Sequence, residues 1–459
     1  MSTQERKKEA VYLIIEPYHD YGLELMRAAF EDFGLRCIIL VEDFYDALHK
    51  KDYCAPIPTE WLAEQYHCPK DRALWVAQHI QKRFDIVAII PWSEQSLELA
   101  MIFLKVLPID WVKPETLARF RNKYDLKSYL RLHHPHIPMN ASWFVQHAED
   151  VEKLRASLPP KFVIKPIDGV GNQQVGFFSR DQPEVSVVNY FLASGLGRYV
   201  LEEFIEGTEY AVNGQTNEKG DVIVYSVLRY YHRHANGRPN VYTRSMHVPR
   251  SDPDFRVLTA YSESVVKALG LHRCPFHAEI RLDPEKGPCL VEIAARPVGN
   301  QLVILMRDAH GFAFDPLRIA VHYYLSEKPL DNCSLDWPRY DRTQALNVDG
   351  ITDQSGLITA ISGIEGIDHH ASFRRWVSKP KVGRLIKATQ DLPSQPYSFH
   401  LASQEADVDL LQDADRLESQ LIIKTHGVDN SLRVKALILN ITRRIVFKFK
   451  WLNFRLSMR

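Results

Sequence analysis

A chain of 459 residues with zero net charge and 25% charged residues is long enough for about two to four folded domains and gives no support to a general nucleic-acid binder. Its six cysteines (37, 54, 68, 274, 289 and 333) stand far apart with no CxxC pair, which predicts reduced thiols and a cytoplasmic protein. The N-terminus is charged and lacks an apolar signal core, and no apolar run approaches the ~18 residues of a membrane span.

Val11 to Ile15 reads as a buried first strand, followed by a helix over Leu23 to Phe33 and a second strand over Leu35 to Val41. This is the strand–helix–strand unit of a parallel sheet, and Glu16 to Asp20 lie at the carboxyl end of its first strand, where such sheets place ligands. No GxGxxG is present, so a dinucleotide site is not supported. A helix over Leu74 to Lys82, a strand over Ile86 to Ile90 and a helix starting at Ser93 come next. Glu94 in that first turn either binds a substrate amine or serves as a favourable acid at the helix's positive end.

Residues 113 to 160 read as a short helical module, with Pro114 starting one helix and Asn122 starting the next, which carries Lys123, Lys127 and Tyr129. The HHPHIP run, 133 to 138, breaks the pattern; its His spacing is poor for zinc. Phe162 to Lys165 is a strand ending in KPIDGVGNQQVG. A Lys beside a Gly-containing loop suits phosphate, although the GK[ST] of a Walker A motif is absent, and an ordinary hairpin loop explains Gly169 and Gly171 as well.

Tyr199 to Ile205 forms a buried strand ending in acids, and Glu209 follows Gly207. A purine fits such a linker between two sheets, its edge read by backbone groups near Glu202 to Ile205 and its ribose by Glu209. Val222 to Tyr231 is another strand. The basic run 232–250 is expected to be a partly mobile loop and strand beside a negatively charged ligand, and with the glycines near 169–176 it is a candidate lid. Asp254 to Leu269 is a helix capped by Gly270.

Phe276 to Leu302 then forms a hairpin that brings Glu279 and Glu292 onto one surface. Two facing carboxylates repel unless a cation sits between them, and Mg²⁺ commonly bridges carboxylates to phosphates. Arg296 and Asn300 follow on a turn that Gly299 lets approach a ligand. A surface hairpin with solvated acids is the alternative.

The order and spacing of NK at 122–123, VIKP at 163–166, EEFIEGTEYAV at 202–212, HAEIRL at 277–282 and VEIAAR at 291–296 resemble the ATP-grasp superfamily of carboxylate–amine ligases, nearest the branch of L-amino acid ligases and carnosine-synthase-like enzymes. The resemblance implies an α/β ATP-grasp fold. A Rossmann-like parallel-sheet domain would span 1–112, ATP-binding subdomains 113–200 and 201–335, and a small C-terminal β-rich lobe with a basic tail 336–459. It implies ATP as substrate and Mg²⁺, or Mn²⁺, as cofactor, with Lys123 and Lys165 on the phosphates and the loop from Asp168 through Gly169 and Gly171 to Val175 closing over them. Glu202, Glu203, Phe204 and Ile205 would carry adenine, Glu209 the ribose, and Glu279 and Glu292 the metal. Arg296 and Asn300 would serve the reacting group, with His277 beside the substrate. Many relatives carry Asn where this chain has Ala294; Asp283 and Asn300 are the substitutes the sequence offers.

The activity implied is an ADP-forming ligation of a carboxylate to an amine, both preferably amino acids, through an acyl phosphate. A carboxylase, a phosphotransfer enzyme and a non-catalytic nucleotide-binding protein are the alternatives. A homodimer is expected. The basic, aromatic tail 431–459 either packs on its own domain or touches an anionic membrane surface. Before it, Gly356 to Ile361, Val382 to Thr389 and Tyr397 to Ala402 suggest strands, and Asp407 to Gln420 a helix.

Overall fold

Val11 to Ile15 offers no polar position to solvent, the pattern of a strand covered on both faces. In the computed structural model, which describes residues 8–17, 22–42, 57–94, 96–169, 174–195, 197–299, 301–310, 315–326 and 336–427, this run is buried throughout. Burying each such Leu or Ile is worth about 1.5–3 kcal/mol. It belongs to β1 (Glu9–Ile15), which pairs in parallel with β2 (Arg36–Val41) on one side and β4 (Phe84–Pro91) on the other. β3 (Leu62–His67) completes a four-stranded sheet of order β3-β2-β1-β4. β3 had no counterpart in the sequence reading, because LAEQYH is half polar and sits on the sheet edge, where burial does not shape the pattern.

The stretch expected to be all helical contains a strand. Pro114–Arg121 and Lys123–His133 are helices as expected, with Asn122 Oδ1 accepting the backbone N–H groups of Tyr124 and Asp125 as the cap of the second. After the HHPHIP break, however, Ser142–Val145 is β5. It joins β6 (Lys161–Pro166), β7 (Gly176–Ser179) and β8 (Tyr199–Glu203) in an antiparallel sheet of order β5-β8-β6-β7. The helices Ala148–Leu154 and Glu184–Ser194 cover this sheet around Val151, Phe162, Val187 and Leu201.

The third layer is an eight-stranded sheet. β9 (Thr208–Thr216), β10 (Val222–Ala235), β11 (Arg238–His247), β12 (Pro275–Asp283) and β13 (Gly287–Ala294) make most of it. The C-terminal region is β-rich as expected, and three of its strands, β14 (Gln344–Asp349), β16 (Phe373–Ser378) and β18 (Ser398–Ser403), continue the sheet to the order β13-β12-β9-β10-β11-β14-β18-β16. β15 (Gly356–Ser362), β17 (Leu385–Ile386) and β19 (Ile422–His426) form a separate three-stranded sheet. Helix Pro253–Leu269 packs on the large sheet, capped by Asp252 at its start and by left-handed Gly270 at its end.

The basic run 232–250 is not a lid. It completes β10 and supplies β11, turning at Asn236–Gly237, and two of its arginines are paired, Arg244 with Asp415 and Glu418 and Arg250 with Asp341. β11 pairs with β10 along its length and with β14 over Arg244–Met246, so the run is part of the large sheet. The tail 431–459, Asp20, Cys54 and Cys333 lie outside the described residues. The other four cysteines are free and buried. Among the described residues no helix is long and apolar enough to cross a membrane.

Candidate active site

Strand alternation aims His277, Glu279 and Arg281 of β12 at one face of the large sheet. The antiparallel register sets Glu279 directly opposite Glu292 on β13, as the sequence suggested. Facing this pair across a cleft is the four-stranded sheet, which contributes Val163 and Lys165 from β6 and Glu202 from β8. Gly207 makes the crossing between the sheets: its φ is +89°, and a Cβ there would lie 2.0 Å from the Leu282 carbonyl oxygen. The cleft holds about 250 Å³ of water-accessible space and opens to solvent.

Most of the sequence-predicted residues meet there. Lys123, Lys165, Gly169, Glu202, Glu203, Phe204, Ile205, Glu209, His277, Glu279, Glu292 and Arg296 all line it. Asp168 does not; its carbonyl faces Arg121 at 3.4 Å. Gly171 and Asn300 lie outside the described residues.

Charge is arranged unevenly across the cleft. Lys123 Nζ lies 3.2 Å from Glu292 and donates to the Gly169 carbonyl at 2.7 Å. Burial works against ionised Glu292, but Lys123 and then Lys165 prevail and hold it below the usual carboxylate range. Glu279 is pushed well above that range by burial, then by Glu292 and Glu209. His277 donates or accepts at Nδ1 with Asn213 Oδ1 at 2.8 Å, while its Nε2 lies 3.4 Å from Glu279. Burial, then Arg296, lower its pKa to about 3, so the ring is neutral near pH 7.

Glu202 differs from its expected role. Its carboxylate is 2.8 Å from Lys127 Nζ and 3.2 Å from Lys165 Nζ, and Lys127 also donates to Asn140. Despite burial, Lys127 and Lys165 bring Glu202 down to about 2. A carboxylate held between two ammonium groups is not free to read a purine edge. The backbone of 203–205 and the apolar walls Val163, Phe177 and Ile205 remain as a slot for a flat ring. Glu209 accepts from Tyr242 Oη at 2.7 Å and Arg281 Nε at 2.9 Å.

Asp283 is no substitute metal ligand. It caps the hairpin turn by accepting from Glu285 and Lys286 N–H, at the far end of β12 from Glu279. Glu94 is not free for an amine either: Arg296 approaches it at 3.4 Å and Arg121 at 3.8 Å. The helix after it is assigned over Ser96–Leu104, and the reciprocal bonds between Ser93 and Ser96 make Ser93 its cap, so Glu94 stands at the first position after the cap, at the helix's positive end, as the sequence suggested.

Glu279 and Glu292 fit a divalent cation, since such an ion would relieve the repulsion that lifts Glu279. Among the described residues no three His, Cys, Asp or Glu side chains converge, so water and phosphate oxygens would complete the shell, as Mg²⁺ prefers. Lys127, Asn140, Arg281, Tyr230, Tyr242 and Asp349 went unassigned in the sequence reading. Arg281 was within reach, because it continues the period-two series His277, Glu279; the others come from strands and helices distant in sequence.

Residues 158–304 match the ATP-grasp domain family. That stretch is an ATP-grasp domain. The chain is 28% identical over 237 residues to dapdiamide A synthase of Enterobacter agglomerans, a match covering 50% of this chain and 54% of that one. The chain thus spans about half the length of this curated relative. Its ATP-grasp fold superposes on the L-amino acid ligase of Bacillus licheniformis with a TM-score of 0.71 at 19% identity, covering 92% of this chain and 100% of the other. N5-carboxyaminoimidazole ribonucleotide synthetase of Thermotoga maritima gives 0.62 at 18%, covering 91% and 100%. At these identities the two solved structures establish the ATP-grasp fold alone.

Proposed function

We propose that this ATP-grasp protein is an ADP-forming ligase that joins a carboxylate, preferably that of an amino acid, to an amine through an acyl phosphate. The observation that carries the reading is the convergence of Lys123, Lys165, the facing pair Glu279–Glu292 and Arg296 in one cleft between two sheets. Lys123 and Lys165 bind the phosphate oxygens, with Lys123 exchanging its present Gly169 contact for them. The slot of Val163, Phe177 and backbone 203–205 takes adenine, and Glu209 the ribose hydroxyls. Mg²⁺ or Mn²⁺ on Glu279 and Glu292 supplies charge neutralisation at the phosphates.

A substrate carboxylate oxygen attacks the γ-phosphorus and ADP departs, leaving an acyl phosphate. The amine nitrogen then attacks the carbonyl carbon, inorganic phosphate leaves with the bonding pair, and the amine loses a proton to solvent. Arg296 stabilises the tetrahedral oxyanion. Neutral His277, fixed by Asn213, orients groups beside Glu279 without adding charge. The likeness to dapdiamide A synthase and to an L-amino acid ligase favours amino acids. The likeness to a carboxyaminoimidazole ribonucleotide synthetase supports a carboxylase as the second reading.

A matrix of amino acids tested in pairs with ATP and Mg²⁺, read by phosphate release and mass spectrometry, tests the proposal. ADP and phosphate should appear only with a suitable carboxylate, and hydroxylamine should trap a hydroxamate when the amine is omitted. AMP and pyrophosphate would overturn the mechanism. ADP formation that requires bicarbonate and ignores every amine would establish the carboxylase.

A further inference from the structure

The cleft extends along the large sheet beyond the metal acids to β14. Its far arm is lined by Tyr230, Ser245, Val298, Leu302, Leu392 and Asp349. Alternation on β14 sends Leu346 and Val348 into the core beneath the sheet, so Asn347 and Asp349 face the other way, toward the cleft. The strand ends at Gly350, where a Cβ would lie 2.4 Å from the Tyr397 ring, so the chain behind Asp349 is held tightly.

Asp349 is only 2% exposed, and its two oxygens are treated differently. Oδ2 accepts from Asn347 Nδ2 at 2.8 Å, and the Asn347 amide is itself fixed by Ser398, which donates to its Oδ1 at 3.0 Å. Oδ1 itself has no hydrogen-bond partner, although the Ser398 hydroxyl, opposite on β18, also favours the ionised carboxylate. No cation pairs with the carboxylate among the described residues, and the nearest other charge acting on it is another acid, Glu418. Burial raises its pKa to about 6, so near pH 7 it is mostly an anion, and the residue lines the cleft with Oδ1 covered and unpaired. A buried carboxylate in that condition is unfavourable unless a cation arrives. Tyr230 stands at the junction of the two arms, within the field of Glu279, Glu209, Arg296 and Asp349 together.

We propose that Asp349 is the anchor for a protonated, non-reacting amine of the substrate, so that the cleft selects carboxylates that carry an ammonium group. This deepens the ligase reading and rests on it. The chemistry supplies a reason for such an anchor. An amino acid activated as an acyl phosphate must not have its own amine free to attack a second activated molecule. An ammonium held against a carboxylate keeps its proton and is not a nucleophile, while the attacking amine enters unpaired and neutral. The apolar side of the arm, Val298, Leu302 and Leu392, suits the side chain of such a substrate better than a second polar group.

The test compares each common amino acid with its deaminated counterpart, alanine with propionate for example, as the sole carboxylate in the hydroxylamine assay. Wild-type protein should prefer the ammonium-bearing acid by at least about tenfold in kcat/KM. Asp349→Asn, which keeps the shape and the bond from Asn347, should bring that ratio to within about twofold of one. The loss should fall on the amino-acid side and in KM, with ATP affinity unchanged. Thermal melting checks folding, and Asp349→Ser serves if the first variant is unstable. A preference that survives in both variants, or is absent from the wild type, overturns the proposal. So does a change in Mg²⁺ dependence with the preference intact, which would instead make Asp349 a metal ligand. If no carboxylate supports turnover at all, the ligase reading fails by itself. Calorimetric titration of the same pairs into protein saturated with ADP and Mg²⁺ then decides the anchor: amine-dependent binding lost in Asp349→Asn supports it, and binding that is absent or indifferent to the variant removes it.

Discussion

Glu202 and Glu279 look into one cleft from opposite sheets and end in opposite states. On the four-stranded sheet, Glu202 is met by Lys127 and Lys165, and the two ammonium groups overcome burial to keep it ionised down to about pH 2. On the large sheet, burial, Glu292 and Glu209 outweigh Lys165 and Arg296 and drive the pKa of Glu279 up. The first arrangement is neutralised within the chain, although Glu202 Oε1 has no hydrogen-bond partner. The second is complete only with a ligand, because the protein itself supplies too little positive charge to settle it. Under the proposed function, the same distinction would separate the wall that orients a nucleotide from the floor that acts on it.

The largest effect is expected where the incomplete side is broken. Glu292→Gln should leave the fold and melting temperature close to wild type but lower ATP turnover by at least about a thousandfold, roughly 4 kcal/mol of transition-state stabilisation. Steady-state ADP release over a Mg²⁺ series measures this, and full activity at low Mg²⁺ would remove Glu292 from the metal site. The complete side should fail differently. Glu202→Gln strands two buried ammonium groups and should cost about 3–5 kcal/mol of stability. The pH dependence has a definite sign. Glu202 is depressed to about 2 in the folded chain, against about 4.3 unfolded. Its contribution is therefore present above the unfolded value and lost as pH falls from about 4.3 toward 2. Urea unfolding across that window should show a steeper loss for wild type than for Glu202→Gln; equal slopes would mean the triad does not hold the charge.

How far this contrast is legible in sequence depends on the distance over which charge is arranged. The pairing of Glu279 with Glu292 is local, since a hairpin register sets it, and it was read correctly from HAEIRL and VEIAAR. The buried strand Val11 to Ile15 and the Asn122 cap were equally local. The pairing of the Glu202 carboxylate was not legible because its partner Lys127 lies 75 residues away on a helix, and a strand ending in two acids looks alike whether or not lysines face it. Asp349 was missed for the same reason: its exposure to the cleft is decided by β14 joining β11, a pairing that no nearby residue announces. The strand β5 escaped because four residues are too few for alternation to be recognised. The run 232–250 was taken for a lid because its cations stood out, whereas the acids that pair with two of them, Asp341, Asp415 and Glu418, come much later in the chain.

Lys165 belongs to both sides of the contrast, pairing with Glu202 while facing the proposed phosphates. Lys165→Ala should weaken ATP binding about tenfold or more, measured by calorimetry, and should also shift the melting temperature down because Glu202 loses a partner. Unchanged ATP affinity together with lowered stability would confine Lys165 to the structural side.

The smallest effect sharpens the boundary at Glu209. This acid is held from two directions, by Arg281 Nε at 2.9 Å and Tyr242 Oη at 2.7 Å, yet it also lines the cleft. Burial works against its ionisation, but His232 and then Arg281 keep its pKa low, so it is an anion with its acceptors aimed by neighbours. If it binds the ribose, its two oxygens accept the 2′ and 3′ hydroxyls. Tyr242→Phe removes one aiming contact and leaves the Arg281 pair, so it should cost about 1 kcal/mol, near fivefold in the Kd for ATP. The same variant should weaken 2′-deoxy-ATP less, because one of the bonds that depends on the aim is already gone. Calorimetry with the two nucleotides on both proteins measures the difference. Equal weakening for ATP and 2′-deoxy-ATP would place Tyr242 in the packing of β11 alone and return Glu209, like Glu202, to the completed side of the cleft.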